Sequence, residues 1–206
     1  MSKILDTVYV VSLKEQMQPF ESELTKELIN QRPAKMLFGE YNFNVKSKYN
    51  PYLYKLFLEA STKLLNKFTL KDENFKTWCS ISDNQFDITC WHNHLTTSTI
   101  NGVIYLKITK EEKGINFLID NEVKNIIPKQ FDLVIFPNYL DHCPLVSKTE
   151  EKRISLNLEL RCKEKVTDIF DNKENKNDEP KTRLEQMSCL QYDPVIDWKI
   201  KSNKYG

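Results

Sequence analysis

Histidine and glycine are both scarce in this 206-residue chain, which has three histidines and four glycines. The scattered glycines exclude a phosphate-binding loop, because such a loop needs clustered glycines that let the backbone approach the phosphates. All three histidines fall in two short segments, Trp91-His92-Asn93-His94 and Asp141-His142-Cys143. Because the chain uses histidine nowhere else, this placement points to a dedicated site.

The chain also lacks a strong net charge, a paired-cysteine motif and a long apolar run. Its formal net charge is +1, which argues against a nucleic acid or an anionic membrane as partner. The five cysteines form no C-x-x-C pair, and no stretch approaches the roughly 18 apolar residues of a membrane helix. The N-terminus does not resemble a signal peptide, so we expect reduced thiols and a cytoplasmic location.

Length and composition predict one domain followed by a tail. Hydrophobic residues make up 40% of the chain, so a core can form without disulfides or metal staples. We expect the domain at 1–165 and a charged, flexible loop at 166–186, because residues 171–181 have almost nothing to bury. The segment 187–206 regains apolar side chains, including Trp198, and is expected to dock back on the domain.

Two predicted helices, at 19–30 and 50–68, precede most of the predicted strands. Residues 5–11 are expected to form an edge strand. Further β-rich runs lie at 77–81, 86–92, 99–108, 115–119, 131–136 and 153–160. Many short strands favour an antiparallel barrel or sandwich. The overall prediction is an α+β, mainly β fold with the N-terminal helices packed on one sheet.

The His-x-His segment has the spacing of a metal site. Residues i and i+2 of a strand point to the same face, so His92 and His94 converge on one ion if 90–94 is extended. His142 would add a third ligand from another strand end. Imidazole suits iron, zinc, copper, nickel or cobalt, and three protein ligands leave positions open for water and substrate. Cys143 is a further candidate ligand, although a packed thiol is the simpler interpretation.

The run that starts at Arg153 alternates between apolar and polar residues. Arg153, Ser155 and Asn157 share one face, which faces solvent in most antiparallel sheets. In a barrel, that face points inward, where a guanidinium with a hydroxyl two residues on would bind a carboxylate through paired hydrogen bonds. Arg153 follows His142 by 11 positions, and this closeness to the predicted ligand favours the inward placement.

Taken in order, these segments resemble the iron(II)/2-oxoglutarate-dependent dioxygenases, most of all the phage and marine-bacterial branch related to the prolyl hydroxylases. The resemblance spans about residues 77–161 and rests on the order His-x-His, 100–106, 133–137, His142 and 153–157. It implies a double-stranded β-helix, a cupin-like jelly roll. If the chain is phage-encoded, the cytoplasm would be that of the host.

The resemblance also implies cofactors and residue roles. The cofactors would be iron(II), 2-oxoglutarate as cosubstrate and O2, and the reaction would hydroxylate an unidentified substrate, either a protein side chain or a small molecule. The ligands and catalytic residues at iron would be His92, His94 and His142. The far carboxylate of 2-oxoglutarate would bind Arg153 and Ser155, Tyr105 would also contact the cosubstrate, and Asn157 matches a polar position on the last strand.

The last residue of the His-x-His segment departs from the usual pattern of the family, which has aspartate or glutamate where this chain has His94. A neutral ligand changes the charge at iron by one unit. Asp120 or Asp141 could supply the carboxylate instead, and one histidine would then lie outside the ligand set.

Two other functions remain open on the sequence alone. The first is a cupin-like metal protein that uses another metal or no keto acid. The second is a noncatalytic binding or structural module, because jelly rolls also occur in capsid and lectin domains and a fold does not fix a function.

Overall fold

The computed structural model describes residues 2–5, 7–33, 40–65, 75–82, 91–145 and 149–162. The predicted loop at 166–186 and the predicted docking segment at 187–206 lie outside these ranges. Within them, the helices are α1 (Lys14–Met17), α2 (Glu21–Gln31), which follows a single 3-10 turn at Gln18–Phe20, and α3 (Asn50–Leu65). The strands are β1 (Ser2–Leu5), β2 (Val8–Ser12), β3 (Glu40–Asn44), β4 (Phe75–Ser82), β5 (Ile100–Lys107), β6 (Ile115–Ile119), β7 (Glu122–Ile126), β8 (Asp132–Pro137), β9 (His142–Pro144) and β10 (Arg153–Leu160).

The strands form two antiparallel sheets. The large sheet has the order β1-β2-β8-β5-β10-β4-β3, and the small sheet has the order β7-β6-β9. Side chains from both sheets meet in one apolar cluster, in which Tyr105 and Phe136 of the large sheet pack with Ile115 and Phe117 of the small sheet. This architecture confirms the predicted jelly roll.

The helices cover the outer face of the large sheet, as predicted. Leu24 and Leu28 of α2 and Leu53 and Phe57 of α3 are fully buried in a cluster that also contains Leu156 of β10. Their four-residue spacing places each pair on one side of its helix. No helix in the described ranges is long and apolar enough to cross a membrane.

β10 is buried on both faces. Its apolar residues, such as Ile154 and Leu156, pack on the helix side of the sheet. The alternate polar residues point toward the small sheet, and Arg153, Ser155 and Glu159 are at most 5% exposed. Because successive side chains of a strand point to opposite faces, a single strand supplies both the helix-side core and the polar wall of the interior.

The structure corrects several strand predictions. Residues 5–11 do not form one edge strand: β1 and β2 pair as a hairpin, and β2 lies inside the sheet between β1 and β8. The sequence also gave no clear sign of β3, β7 and β9. β7 carries three exposed residues among its five, and β9 has only three residues, so neither shows an alternating apolar pattern long enough to predict a strand.

The predicted strand at 86–92 lies mostly outside the described residues. At its end, His92 forms a single antiparallel bridge with His142. Helix α3 ends at Leu65 in the structure, and the last predicted residues of that helix, 66–68, also lie outside the described ranges.

Gly102 of β5 provides a test of the contact between sheet and helices. A Cβ atom at this position would lie 2.5 Å from Cε2 of Phe57 and 3.0 Å from Cδ1 of Leu133. Phe57 is fully buried, so its ring has no free space to move into. We expect Gly102→Ala to lower the free energy of unfolding by about 1–3 kcal/mol, as overpacking of a core does, measured by urea denaturation.

A double-mutant cycle with Phe57→Leu controls this prediction. If the two side chains clash, the double variant should lose less stability than the sum of the two single variants. Equal stability of Gly102→Ala and the parent protein would contradict a close contact between Gly102 and the Phe57 ring.

Candidate metal centre

The three histidines meet at one edge of the interior, between the ends of several strands. The His92 amide donates to the His142 carbonyl at 3.0 Å, and the His142 amide donates to the His92 carbonyl at 2.9 Å. The His94 amide donates to the Asn138 carbonyl at 2.8 Å. These backbone bonds bring together two segments that are distant in sequence.

One potential ligand atom from each histidine lies within 4.8 Å of the others. An ion about 2.1 Å from each imidazole nitrogen draws these nitrogens to within about 4.2 Å of one another. Small side-chain rotations would therefore let His92, His94 and His142 bind one ion. The side chains that the sequence placed in one site are thus brought together by the fold.

His142 is oriented and kept neutral by its surroundings. Its Nδ1 lies 2.9 Å from the carbonyl of Leu140, and since a carbonyl only accepts, Nδ1 carries the proton and Nε2 keeps its lone pair. Burial lowers the pKa of His142 well below its usual value, and the nearby His92 and His94 lower it further. The ring packs against Phe136, with centroids 4.6 Å apart. A neutral imidazole with a free Nε2 is the form that binds metals.

His94 is oriented by a buried carboxylate. Its Nδ1 donates to Oε1 of Glu159 at 2.8 Å, and the Thr97 hydroxyl donates to the same oxygen at 2.7 Å. Burial acts to raise the pKa of Glu159, but the hydrogen bonds from His94 and Thr97 outweigh it and the pKa is lowered. Glu159 is therefore ionised, and His94 is left with Nε2 as its metal-binding atom.

Sequence reasoning assigned no role to Glu159. The available signal was its place on β10, where it shares a face with Arg153, Ser155 and Asn157. A glutamate that is only 4% exposed requires a partner, because an isolated buried charge is strongly unfavourable. Its partner turns out to be one of the three histidines.

The carboxylates considered as alternative ligands do not join the histidines. Oδ1 of Asp141 accepts a hydrogen bond from the Asn93 amide at 2.8 Å. Asp120 lies exposed in the turn between β6 and β7, with a φ of 51°. Among the described residues, the group that could hold an ion consists of histidines alone.

Cys143 is a core residue of the small sheet in this structure. It is 1% exposed and clusters with Trp91, and Leu118 and Leu145 pack against the pair. Because Cys143 follows His142 on β9, its side chain points away from the histidine ring. The packed-thiol interpretation therefore fits the structure, and Trp91 is likewise a packing residue.

A cavity of about 180 Å³ adjoins the histidines. An apolar cavity of about 150 Å³ is known to hold a benzene ring, so this one suits a small organic acid. The cavity combines ligand candidates with all four residues that were expected to bind a cosubstrate. It is lined by Asn42, Trp78, Ser80, His92, Val103, Tyr105, Ile115, His142, Pro144, Arg153, Ser155 and Asn157.

Sequence reasoning missed the polar side chains that reach the cavity from β3 and β4. The Asn157 amide donates to Oγ of Ser80 at 3.0 Å, and the Ser80 hydroxyl donates to Oδ1 of Asn42 at 2.6 Å. This chain of hydrogen bonds crosses three adjacent strands. It depends on strand order, which the sequence pattern does not contain.

Arg153 lies at the cavity wall and is 3% exposed. Its Nη1 donates to the carbonyl of Leu145 and to Oε1 of Glu112, the latter at 3.3 Å. The inward placement predicted for Arg153 and Ser155 therefore agrees with their burial.

No family model matches the sequence, and no curated protein matches it. Solved structures do match the fold. A prolyl-4-hydroxylase from Pseudomonas putida aligns with a TM-score of 0.58 at 14% identity, covering 77% of this chain and 94% of that one. A Trichoplax adhaerens prolyl hydroxylase, in complex with a peptide fragment of the hypoxia-inducible factor, aligns at 0.57 and 12% identity, covering 76% and 84%.

A third match is HygX from Streptomyces hygroscopicus with nickel, 2-oxoglutarate and hygromycin B bound. It aligns with a TM-score of 0.56 at 8% identity, covering 76% of this chain and 83% of that one. The chain therefore has the fold of these two prolyl hydroxylases and of HygX.

The contact between His94 and Glu159 leads to a test that needs no turnover. We expect Glu159→Gln to weaken binding of cobalt(II) by about 10–100-fold, as loss of a hydrogen-bonding partner of a metal-bound histidine does. The physical reason is that glutamine keeps the shape but removes the charge behind His94. Calorimetric titration of the metal-free protein measures the effect.

Glu59→Gln is the matched control, because Glu59 is exposed on α3 and contacts only a surface lysine at 3.8 Å among the ion pairs described. It should leave cobalt(II) affinity unchanged. Equal affinities for all three proteins would show that Glu159 does not act on the metal centre.

Proposed function

We propose that this protein is a nonheme iron(II)- and 2-oxoglutarate-dependent dioxygenase that hydroxylates a protein side chain or a small molecule. The observation that carries the proposal is that two of the clustered histidines, His92 and His142, border the same cavity as Arg153 with Ser155, inside a jelly roll. A metal-binding group and a carboxylate-binding group are both required to hold a keto acid against a metal ion.

The donor set fits iron(II). Imidazole nitrogens are suitable ligands for it, and three protein ligands leave coordination positions open. The carbonyl of Leu140 and the carboxylate of Glu159 hold two of the rings with Nε2 free. When bound, iron(II), 2-oxoglutarate and O2 together supply the oxidation of an unactivated C–H bond, with succinate and CO2 as co-products.

The protein's own part in the reaction is to bind, orient and shield. Arg153 and Ser155 would hold the far carboxylate of 2-oxoglutarate through charge-assisted hydrogen bonds. Tyr105 and Asn157 complete the polar wall. Phe136 and Phe117 pack around His142 and limit the access of water to the ligands, which strengthens electrostatic contacts inside the cavity.

Glu159 accounts for the unusual ligand at position 94. Replacing a carboxylate by a neutral imidazole removes one negative charge from the metal centre. The ionised Glu159, hydrogen-bonded to Nδ1 of His94 at 2.8 Å, places that charge one residue further from the ion. The sum of charges in the site then equals that of a site with two histidines and one carboxylate.

The substrate proposal extends to two chemical classes. The Trichoplax neighbour binds a peptide and HygX binds hygromycin B, a small molecule. Peptides that contain proline are the first candidates to test, because prolyl hydroxylases recur among the structural neighbours.

Release of succinate tests the proposed activity. We expect protein purified without O2 to produce succinate from 2-oxoglutarate only when iron(II) and O2 are added. His142→Ala should reduce this rate to background, because it removes an iron ligand. The combined change Arg153→Gln with Glu112→Gln should weaken 2-oxoglutarate binding while avoiding a buried, unpaired charge, which would destabilise the fold.

Analysis of the bound metal provides a second test of the proposed function. Stoichiometric zinc, with no measurable binding of iron(II) and no succinate, would contradict the proposal. It would favour a cupin-like metal protein with another metal, since three neutral ligands also suit zinc.

A further inference from the structure

The arginine that would anchor the cosubstrate already has a carboxylate beside it. Oε1 of Glu112 lies 3.3 Å from Nη1 of Arg153, and both side chains are only 4% exposed. A buried pair of this kind is not screened by solvent as a surface pair is. The positive charge of Arg153 is therefore largely compensated before any ligand binds.

The position of Glu112 is built into the loop between β5 and β6. The Gly114 amide donates to Oε1 of Glu112 at 2.9 Å, and the Lys110 amide donates to Oε2 of Glu151 at 2.7 Å. Gly114 has a φ of +76°, and a Cβ atom there would lie 1.9 Å from the carbonyl oxygen of Ile126. The backbone thus holds the loop on both sides of Glu112, with its carboxylate directed at Arg153.

Arg153 borders the cavity, whereas its carboxylate partner does not. Arg153 and Ser155 are among the described residues that line the cavity, whereas Glu112 lies outside that lining. A ligand carboxylate can therefore reach Arg153 without displacing Glu112. The ligand carboxylate would accept hydrogen bonds from the guanidinium. Its net electrostatic attraction to the site would be small, because the pair of Arg153 and Glu112 is nearly neutral.

We propose that Glu112 determines cosubstrate specificity by weakening the preference of the Arg153 site for a second carboxylate. This inference rests on the proposed function. Without the charge of Glu112, Arg153 would favour 2-oxoglutarate strongly over 2-oxo acids that lack the far carboxylate. With Glu112 in place, the protein binds 2-oxoglutarate and a monocarboxylic 2-oxo acid with similar affinities.

A different role for Glu112 makes the opposite prediction. If it only held Arg153 in position, removal of its charge would loosen the guanidinium and weaken binding of 2-oxoglutarate. Charge compensation requires that the same change strengthen binding, and only for the ligand with a second carboxylate. The sign of the effect therefore separates the two roles.

The test compares two ligands on nickel(II)-loaded protein, which binds keto acids without turnover. The ligands are 2-oxoglutarate and 2-oxopentanoate, which has the same chain length without the far carboxylate. Glu112→Gln should bind 2-oxoglutarate about tenfold more tightly than the parent protein, while the affinity for 2-oxopentanoate stays within about twofold. Calorimetric titration gives both constants.

Glu111→Gln is the matched control, because Glu111 is exposed in the same loop and the substitution removes the same charge. It should leave both affinities unchanged. The parent protein supplies an independent measurement that requires no variant to fold: its affinities for the two acids should differ by less than about tenfold, the range of one or two hydrogen bonds.

Three results would overturn the inference. One is weaker or unchanged binding of 2-oxoglutarate by Glu112→Gln, and another is an equal gain for both acids. The third is a preference of the parent protein for 2-oxoglutarate of a hundredfold or more. The proposed function fails in a different way, because the nickel-loaded parent protein and Glu112→Gln would then bind neither acid.

Discussion

The candidate site depends on the antiparallel pairing of His92 with His142. Two backbone hydrogen bonds, at 2.9 and 3.0 Å, fix the end of one segment against β9 and thereby set the positions of both rings. His94 then follows two residues later and joins the same group. Without this pairing the three imidazoles would belong to unrelated loops, and the cavity beside them would have no metal-binding wall.

β10 provides the second support of the site. Its apolar side chains pack against the helices, while its polar side chains point into the jelly roll. Arg153 at one end of the strand meets Glu112, and Glu159 near the other end meets His94. Each of these buried charges thus has a hydrogen-bonding partner, which is the condition under which proteins tolerate buried charges.

Much of this arrangement was predictable from local patterns. The alternation of Arg153–Leu160 predicted the bounds of that strand, and the order of helices and strands predicted that the helices pack on one sheet. The roles of Glu112, Glu159 and Ser80 were not predictable in this way. Each depends on a neighbour that is far away in sequence, and hydrophobic periodicity carries no information about such pairs.

The sequence by itself determined that two histidines were available at strand-like spacing and a third in another segment, that an arginine followed the last of them, and that short strands would bury these residues in a mainly β fold. Only the tertiary structure decided which carboxylates stand behind His94 and Arg153. The physical reason is that spacing along a strand sets the direction of a side chain. Which charged group lies next to that side chain is set by strand order and loop conformation.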